Sequence, residues 1–516
     1  MGSYHILAEK ERSIRVPPCL WIGKEGKSVG RGGRDLRDPR RWGLPPEAVT
    51  QLGERLCQFW HRFWSCFQTR TRNGSKHAYH YLQAQLTMDS KRNFANIARK
   101  MTGEDGQALQ HFMSNSPWSA QAVFRQIQSE IKAIPALAHG GILILDESAD
   151  EKAGVHNAGA SRQYNGRLGK VDVCRVDTCL VYSHPDAGVQ TIVDGELFLP
   201  EEWFHKDRAQ IREELGIPKE RRFETKIALG LRMVRRAKAN RLPFELVACD
   251  ALYGRDEQFR ATLDAEGILY AAEVPENTRV YLREPKVMVP RKRSRYGRPR
   301  TQLQVVSREA PREVRALARS PTTEWYPVRV RHTERGWLEA DFAVMRVWTV
   351  QKDQMPRPEW LVMRRDPDGD HSYTLLNAPR WTPRERLIKW SCQRYFTERT
   401  FEDAKSELGW DEFQAQKYRA WEHHLALTAL ALWFIAQTKL EWAELYERDP
   451  ELVRQLEVEI LPALSTANVR ELLKAVLPLP QLTPQQAIAL VIEHLINRSR
   501  STSSRLKSTP NPYDTS

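Results

Sequence analysis

GGILILD, residues 140–146, is the stretch on which the fold turns. Four Ile and Leu residues follow two glycines and stop at an aspartate. A run so short and so evenly apolar predicts a strand covered on both faces, the situation of an α/β sheet. PFELVACD, residues 243–250, repeats the device with Asp250 in the closing place. Functional groups in α/β sheets gather beyond the carboxyl ends of strands, so Asp146 and Asp250 are candidate site residues. For a single strand-end aspartate a polar cap where the chain surfaces is the better reading; two in one sheet shift the balance toward a site.

Around these runs the texture is mixed. VCRVDTCLVYS (173–183) and VQTIVDGELFLP (189–200), joined by HPDAG, predict two further strands. RRFETKIALGLRMVRRAKANR (221–241) predicts a helix, as does RDEQFRATLDAEG, while ILYAAEVP (268–275) predicts another strand. Three strands, a helix, and then alternation of strand and helix indicate an α/β class. The chain is expected to divide into a basic flexible arm (1–44), a helical DNA-binding domain (45–136), a first core segment (137–275), a β-rich insertion (276–375), a second core segment (376–440) and a helical C-terminal region with a disordered tail (441–516). EAVTQLGERLCQFWHRFWSCF and SPWSAQAVFRQIQSEI supply the amphipathic spacing of the helical domain, with Ser119 as an N-cap.

Composition narrows the partner. Lys and Arg number 79 against 65 Asp and Glu, a net charge of +14, which favours a polyanion. The densest basic stretch is RKRSRYGRPR, where Arg291, Lys292, Arg293, Arg295, Arg298 and Arg300 surround Tyr296. Such a segment suits backbone phosphates with one aromatic for stacking, and it also suits a solvated loop. The longest apolar run, LALTALALWFI at 425–435, is far short of the roughly 20 residues of a membrane span. Seven scattered cysteines without a CxxC pair argue against a disulfide framework or a thiolate zinc site, and fit a reducing cytoplasm.

RYFTERTFEDAKSELGW (394–410) predicts a helix. Arg394, Glu398 and Lys405 share one face at three- and four-residue spacing. Either the face carries an i,i+4 ion pair, or Glu398 is a third acidic ligand with two cations placed for DNA phosphates. Glu402 lies on the same face. Three carboxylates together would suit hard divalent cations, Mg2+ with Mn2+ able to substitute, in two-metal phosphodiester chemistry.

The order Asp146, Asp250 and Glu398 resembles the DDE transposases, whose core is ribonuclease-H-like. The spacing of Arg394, Glu398 and Lys405 matches R-x3-E-x6-K in the signature of the bacterial cut-and-paste insertion-sequence branch, and this selects Glu398 over Glu402. Ser391 stands where that signature has Tyr, and Glu147 where relatives often have a second Asp. SRQYNGRLGKVDVC (161–174), DALYG (250–254) and KSELGWDEFQAQKYRAWEHHLAL (405–427) add to the likeness, which covers roughly residues 75–495. It implies an enzyme whose Asp146, Asp250 and Glu398 bind two Mg2+ ions. It further implies DNA contacts from Arg394 and Lys405, a β-rich insertion before the Glu helix, and a homodimer or larger assembly in the bacterial cytoplasm. That assembly would cut double-stranded DNA at terminal inverted repeats and join the 3′-OH to target DNA. A ribonuclease-H-like nuclease without strand transfer and a domesticated, non-catalytic DNA-binding protein are the alternatives. Tyr253, the histidine pair His423 and His424, and Trp325, Trp337, Trp348 and Trp360 are secondary candidates for which core packing is the simpler expectation.

Overall fold

A computed structural model describes residues 35–290 and 301–479, except 153, 155, 167, 334, 335 and 352, together with some positions between 484 and 499. The chain divides into two units, Met1–Asp38 and Pro39–Ser516, and the sheet and all its helices belong to the second.

The centre of this unit is a ten-stranded mixed sheet. In chain order the strands are β1 (Ile142–Glu151), β2 (Ser161–Asn165), β3 (Lys170–His184), β4 (Val189–Leu197), β5 (Leu246–Cys249), β6 (Leu269–Glu273), β7 (Tyr326–Thr333), β8 (Gly336–Val350), β9 (Pro356–Arg365) and β10 (His371–Leu376). Across the sheet they run β7-β8-β9-β10-β6-β5-β1-β3-β2, with β4 pairing β3 as well. Within this row only the pairings β1–β5 and β5–β6 are parallel; the others are antiparallel. Their apolar stretches, Ile142–Leu145 and Leu246–Cys249, are buried at every position, as expected of strands covered on both sides. Each fully buried Ile or Leu in such a run contributes about 2 kcal/mol of burial free energy.

Two sequence expectations need correction. β1 does not end at Asp146: it continues to Glu151 because β3 keeps pairing with it, Asp146 facing Cys179 and Glu151 facing Cys174. What ends at Asp146 is the pairing with β5, whose last register pair is Leu145 with Cys249. The polar segment DESADE hid this, since its strand is fixed by a partner some thirty residues away in sequence and not by its own pattern. SRQYN, polar and short, forms the edge strand β2 for the same reason.

The strands expected as an insertion join the sheet directly. β10 pairs β6 through Thr374 with Glu273 and Leu376 with Ala271, so β7–β10 lengthen the core sheet. A second, smaller apolar cluster built on Val280, Val314, Leu317, Val347, Leu361 and Met363 covers one face of this extension.

The helices that build the core and the site are α1 (Leu52–Phe63), α2 (Ser75–Thr87), α3 (Phe94–Lys100), α4 (Gly106–Ser114), α5 (Ala120–Ala133), α6 (Lys226–Ala239), α7 (Ala251–Gly254), α8 (Glu257–Ala265), α9 (Arg384–Ser391), α10 (Tyr395–Glu402), α11 (Tyr418–Leu445) and α12 (Thr466–Val476). α11 carries the 425–435 run, which is buried at every position, and this accounts for an apolar stretch without a polar face. It packs on β4 and on α2, α4 and α5, so the N-terminal helices and the sheet share one core. Phe59 meets Phe434 at a ring-centroid distance of 5.1 Å, and Trp433 Nε1 donates to Glu130 at 2.7 Å. Ser119 caps α5 by accepting from the Ala122 N–H, as its sequence position predicts. None of the described helices is long and apolar enough to cross a membrane.

Candidate active site

Parallel pairing sets three carboxylates in a row. Leu145 pairs with Cys249 and Cys249 with Ala272, so the next residues on β1, β5 and β6 are Asp146, Asp250 and Glu273. Neighbouring strands lie about 4.8 Å apart, which keeps the row compact. Asp250 is fixed by capping α7: its Oδ1 accepts from the Leu252 N–H at 2.9 Å and the Tyr253 N–H at 3.4 Å. Asp146 Oδ1 accepts from the Glu147 N–H at 2.8 Å. Glu273 was missed in the sequence, although it ends ILYAAE just as Asp250 ends FELVACD; the same strand-end criterion would have found it.

α10 brings in the other members. Arg394 Nη1 donates to Glu273 Oε2 at 2.8 Å, its Nε lies 3.7 Å from Asp146 Oδ2, and its Nη2 lies 3.3 Å from Glu398 Oε1. The i,i+4 ion pair of Arg394 with Glu398 therefore exists, but as one edge of a larger cluster. The Glu398 side chain is 59% exposed against 14% for Asp146, so Glu398 has room to turn toward the row. Glu402 instead pairs with Arg399 at 3.1 Å. The fold thus separates two glutamates that spacing alone left equivalent.

Electrostatics mark the row as crowded. Burial pushes the Asp146 carboxyl up to about 7; Arg394 opposes this, while Asp250 and Glu147 add to it. Burial also raises Glu273, against the pull of Arg394, with Asp250 and Glu398 adding repulsion. For Arg394 burial disfavours the charge, but Glu273, Asp146 and Glu398 outweigh it and hold the guanidinium protonated. Glu147 is raised by burial and paired with Lys226 at 3.4 Å. The Tyr253 phenol is fully buried and raised by burial and by the carboxylates of Glu147, Asp250 and Asp146.

Lys405 falls in a π-helical turn, Asp403–Glu407, that continues α10. Single π turns recur at functional positions, and this one shifts the phase of the helix after Glu402. Lys405 Nζ donates to the Ala149 carbonyl at 3.1 Å, further along β1 from Asp146. Gly409 closes the segment with φ +69°, and a Cβ there would fall 2.6 Å from an Arg92 guanidinium nitrogen. Arg394 and Lys405 were expected to flank Glu398 as phosphate contacts. In this structure Arg394 sits among the carboxylates, because its partners Asp146 and Glu273 come from strands distant in sequence.

A cleft of about 240 Å³ opens beside the row, lined by Glu273, Arg331, Arg364, Ser391, Tyr395 and Glu398 among others. Arg331 from β7 lays its guanidinium 3.3 Å from the Tyr395 ring centroid. Ser391, in the place of the signature Tyr, donates its hydroxyl to the Ile388 carbonyl at 2.8 Å and finishes α9. The basic segment with Arg291, Lys292, Arg293, Arg295, Tyr296, Arg298 and Arg300 lies outside the described residues.

Among the described residues no three His, Cys, Asp or Glu side chains converge closely enough to hold a metal ion. Arg394 lies against Asp146, Glu273 and Glu398. The donors are nonetheless all hard carboxylate oxygens, with Asp146 and Asp250 in register at the ends of adjacent strands, the donor type that suits Mg2+ or Mn2+. His423 and His424 diverge: the first faces the Met113 and Trp118 carbonyls, each at 2.9 Å, and the second the Tyr81 hydroxyl at 2.9 Å. Burial lowers both to about 3. Trp360 donates to the Pro379 carbonyl at 3.2 Å, and Trp325 stands 4.6 Å from the Arg365 guanidinium.

Residues 62–336, just over half of the 516, match the family described as DDE superfamily endonuclease. That span includes Asp146, Asp250 and Glu273 and stops short of Glu398. The chain is 26% identical over 345 residues to a probable transposase for insertion sequence element IS701 from Microchaete diplosiphon, covering 66% of this chain and 77% of that one. A cryo-EM structure of a piggyBac transposase synaptic complex with hairpin DNA aligns over 86% of this chain and 84% of its own, at 10% identity and a TM-score of 0.36, too loose a likeness to bear on the fold.

Proposed function

The chain belongs to the DDE superfamily of endonucleases and is a DNA transposase, and we propose that Asp146, Asp250 and Glu398 are its cleavage site. The observation that carries this is the carboxylate row itself. Asp146 and Asp250 stand on adjacent parallel strands, and α10 brings Glu398 to the same cluster through Arg394. The strand order β4-β3-β1-β5-β6 supports a ribonuclease-H-like core.

Asp146, Asp250 and Glu398 would hold two Mg2+ ions, for which Mn2+ can substitute, and these would supply Lewis acidity to the attacking and leaving oxygens of the phosphodiester. The protein's own groups do the rest. Asp250 is immobilised by its cap of α7, and Asp146 by its strand, so two ligands are preorganised. Glu398, more exposed, would be the third ligand. Arg394 and Lys405 take phosphates on either side of the scissile bond once DNA offers them. A water oxygen attacks phosphorus at the element's end and the 3′ oxygen departs as a hydroxyl. That hydroxyl then attacks a target phosphodiester, forming one P–O bond as another breaks.

Double-stranded DNA is the substrate: terminal inverted repeats read by the helices of 45–136, and target DNA. Residues 291–300 grip its backbone, and β7–β10 lie beside the cut. A homodimer or larger assembly holds paired ends in the cytoplasm. Asp250→Asn should abolish nicking of a plasmid bearing the ends while DNA binding persists; full cleavage by that variant in Mg2+ would overturn the assignment. Joining of a precleaved end to target plasmid separates a transposase from a plain nuclease.

A further inference from the structure

Of the three carboxylates around Arg394, only Glu273 receives a hydrogen bond from it among the described residues. Arg394 Nε, at 3.7 Å from Asp146, has no hydrogen-bond acceptor, and the approach of Nη2 to Glu398 at 3.3 Å is an ion pair alone. Glu273 is anchored by its strand. It is the last residue of a central strand, paired to Thr374 on one side, with β5 on the other. Its side chain is largely covered, so its charge is costly without a cation beside it.

We propose that Glu273 is a positioning residue that draws the Arg394 guanidinium to the far end of the carboxylate row and so limits how strongly Arg394 competes with a divalent cation for Asp146 and Glu398. This rests on Asp146, Asp250 and Glu398 being the cation-holding set. The physical case is that one guanidinium cannot satisfy three carboxylates at full strength. Deprived of Glu273, a protonated Arg394 confined in this partly buried space turns to the two acceptors already within 3.7 Å. Those carry the oxygens a metal would need. Glu273 therefore acts as a parking place, and it keeps Arg394 close enough to move onto a phosphate when DNA arrives.

A double-mutant cycle on the DNA-free, full-length protein tests this, with bound Mn2+ measured by electron paramagnetic resonance. Glu273→Gln should weaken Mn2+ binding about tenfold, the scale seen when a group supporting a metal site is lost. In an Arg394→Ala background, where the competitor is gone, the same change should have little effect, and Arg394→Ala alone should tighten binding. Glu273→Asp, which keeps the charge on a shorter arm, should restore most of the loss and remains informative if Glu273→Gln folds poorly. An equal loss in both backgrounds would mean that Glu273 acts on the cation through its own charge, and it would overturn the proposal, as would no loss in either. Mn2+ binding that is absent, or indifferent to Asp250→Asn, would instead overturn the assignment of the metal-holding set, and this proposal with it.

Discussion

Gly254 offers the sharpest test of how the row is built. It ends α7 four residues after Asp250 and returns its N–H to the Asp250 carbonyl at 2.8 Å. A Cβ at Gly254 would lie 1.8 Å from the Glu273 carbonyl oxygen, where ordinary contact begins at 3.4 Å. Gly254→Ala must therefore separate α7 from β6 by about 1.6 Å (3.4 − 1.8). Neither side yields easily, since β6 is held on both edges by β5 and β10 and α7 is tied to β5 through Asp250. Overpacking of this kind costs about 1–3 kcal/mol. The functional loss should be larger, because a misplacement of about 1 Å in a reacting constellation costs on the order of 100-fold in rate. Single-turnover nicking of a plasmid bearing the element's ends, read beside calorimetric Tm, would show a modest fall in Tm and a steep fall in cleavage. Gly166→Ala is the control, because nothing lies within 4 Å of a Cβ there. Wild-type cleavage and Tm in Gly254→Ala would refute the claim that close packing of α7 on β6 sets the spacing of Asp250 and Glu273.

The same geometry sets other outcomes. Glu398→Gln should remove cleavage while Glu402→Gln leaves it near wild type, because the Glu402 carboxylate pairs with Arg399 and not with the cluster; plasmid nicking reads both. Asp250→Ala should lower stability by about 1 kcal/mol through loss of the α7 cap, whereas Asp250→Asn, which can still accept from Leu252 and Tyr253, should not, as denaturant titration would show. Glu104 supplies a pH dependence. Burial raises its carboxyl, but hydrogen bonds from His77, His80 and the Asp105 N–H outweigh this and bring it down to about 2 from an ordinary 4.5. A depressed carboxyl stabilises the fold above its unfolded value and loses that contribution as pH falls. Glu104 should therefore contribute about 3 kcal/mol near neutrality that fades from about pH 4.5 to pH 2, and Glu104→Gln should flatten that part of the stability–pH curve.

Much of the site was legible because it obeys a local rule. ILILD and ELVACD are short apolar runs closed by a carboxylate, and both became buried parallel strands with Asp146 and Asp250 side by side. The helix bearing Arg394 and Glu398 announced itself by periodicity and formed as α10. Less legible were elements that exist only through partners: the second half of β1, the edge strand β2, and the direct joining of β7–β10 to β6. Strand pairing at such places is decided by a neighbour's free edge and not by the segment's own residues.

The order of amino acids pointed to a chemistry: Asp146, Asp250 and Glu398 in chain order, a basic excess, and apolar strands to hold the two aspartates at one edge. That much depends on residue type and on periods of two and 3.6, which are written locally. How the charges meet was left to the fold. Pairing of β5 with β6 added Glu273 as a fourth acid to the cluster, 121 positions from the Arg394 it holds. The contact with Glu398 was visible in the helix spacing; those with Asp146 and Glu273 were not. They turn Arg394 from a cation facing outward into one set among carboxylates, because charges pair by distance in space and the sheet, not the chain, sets that distance.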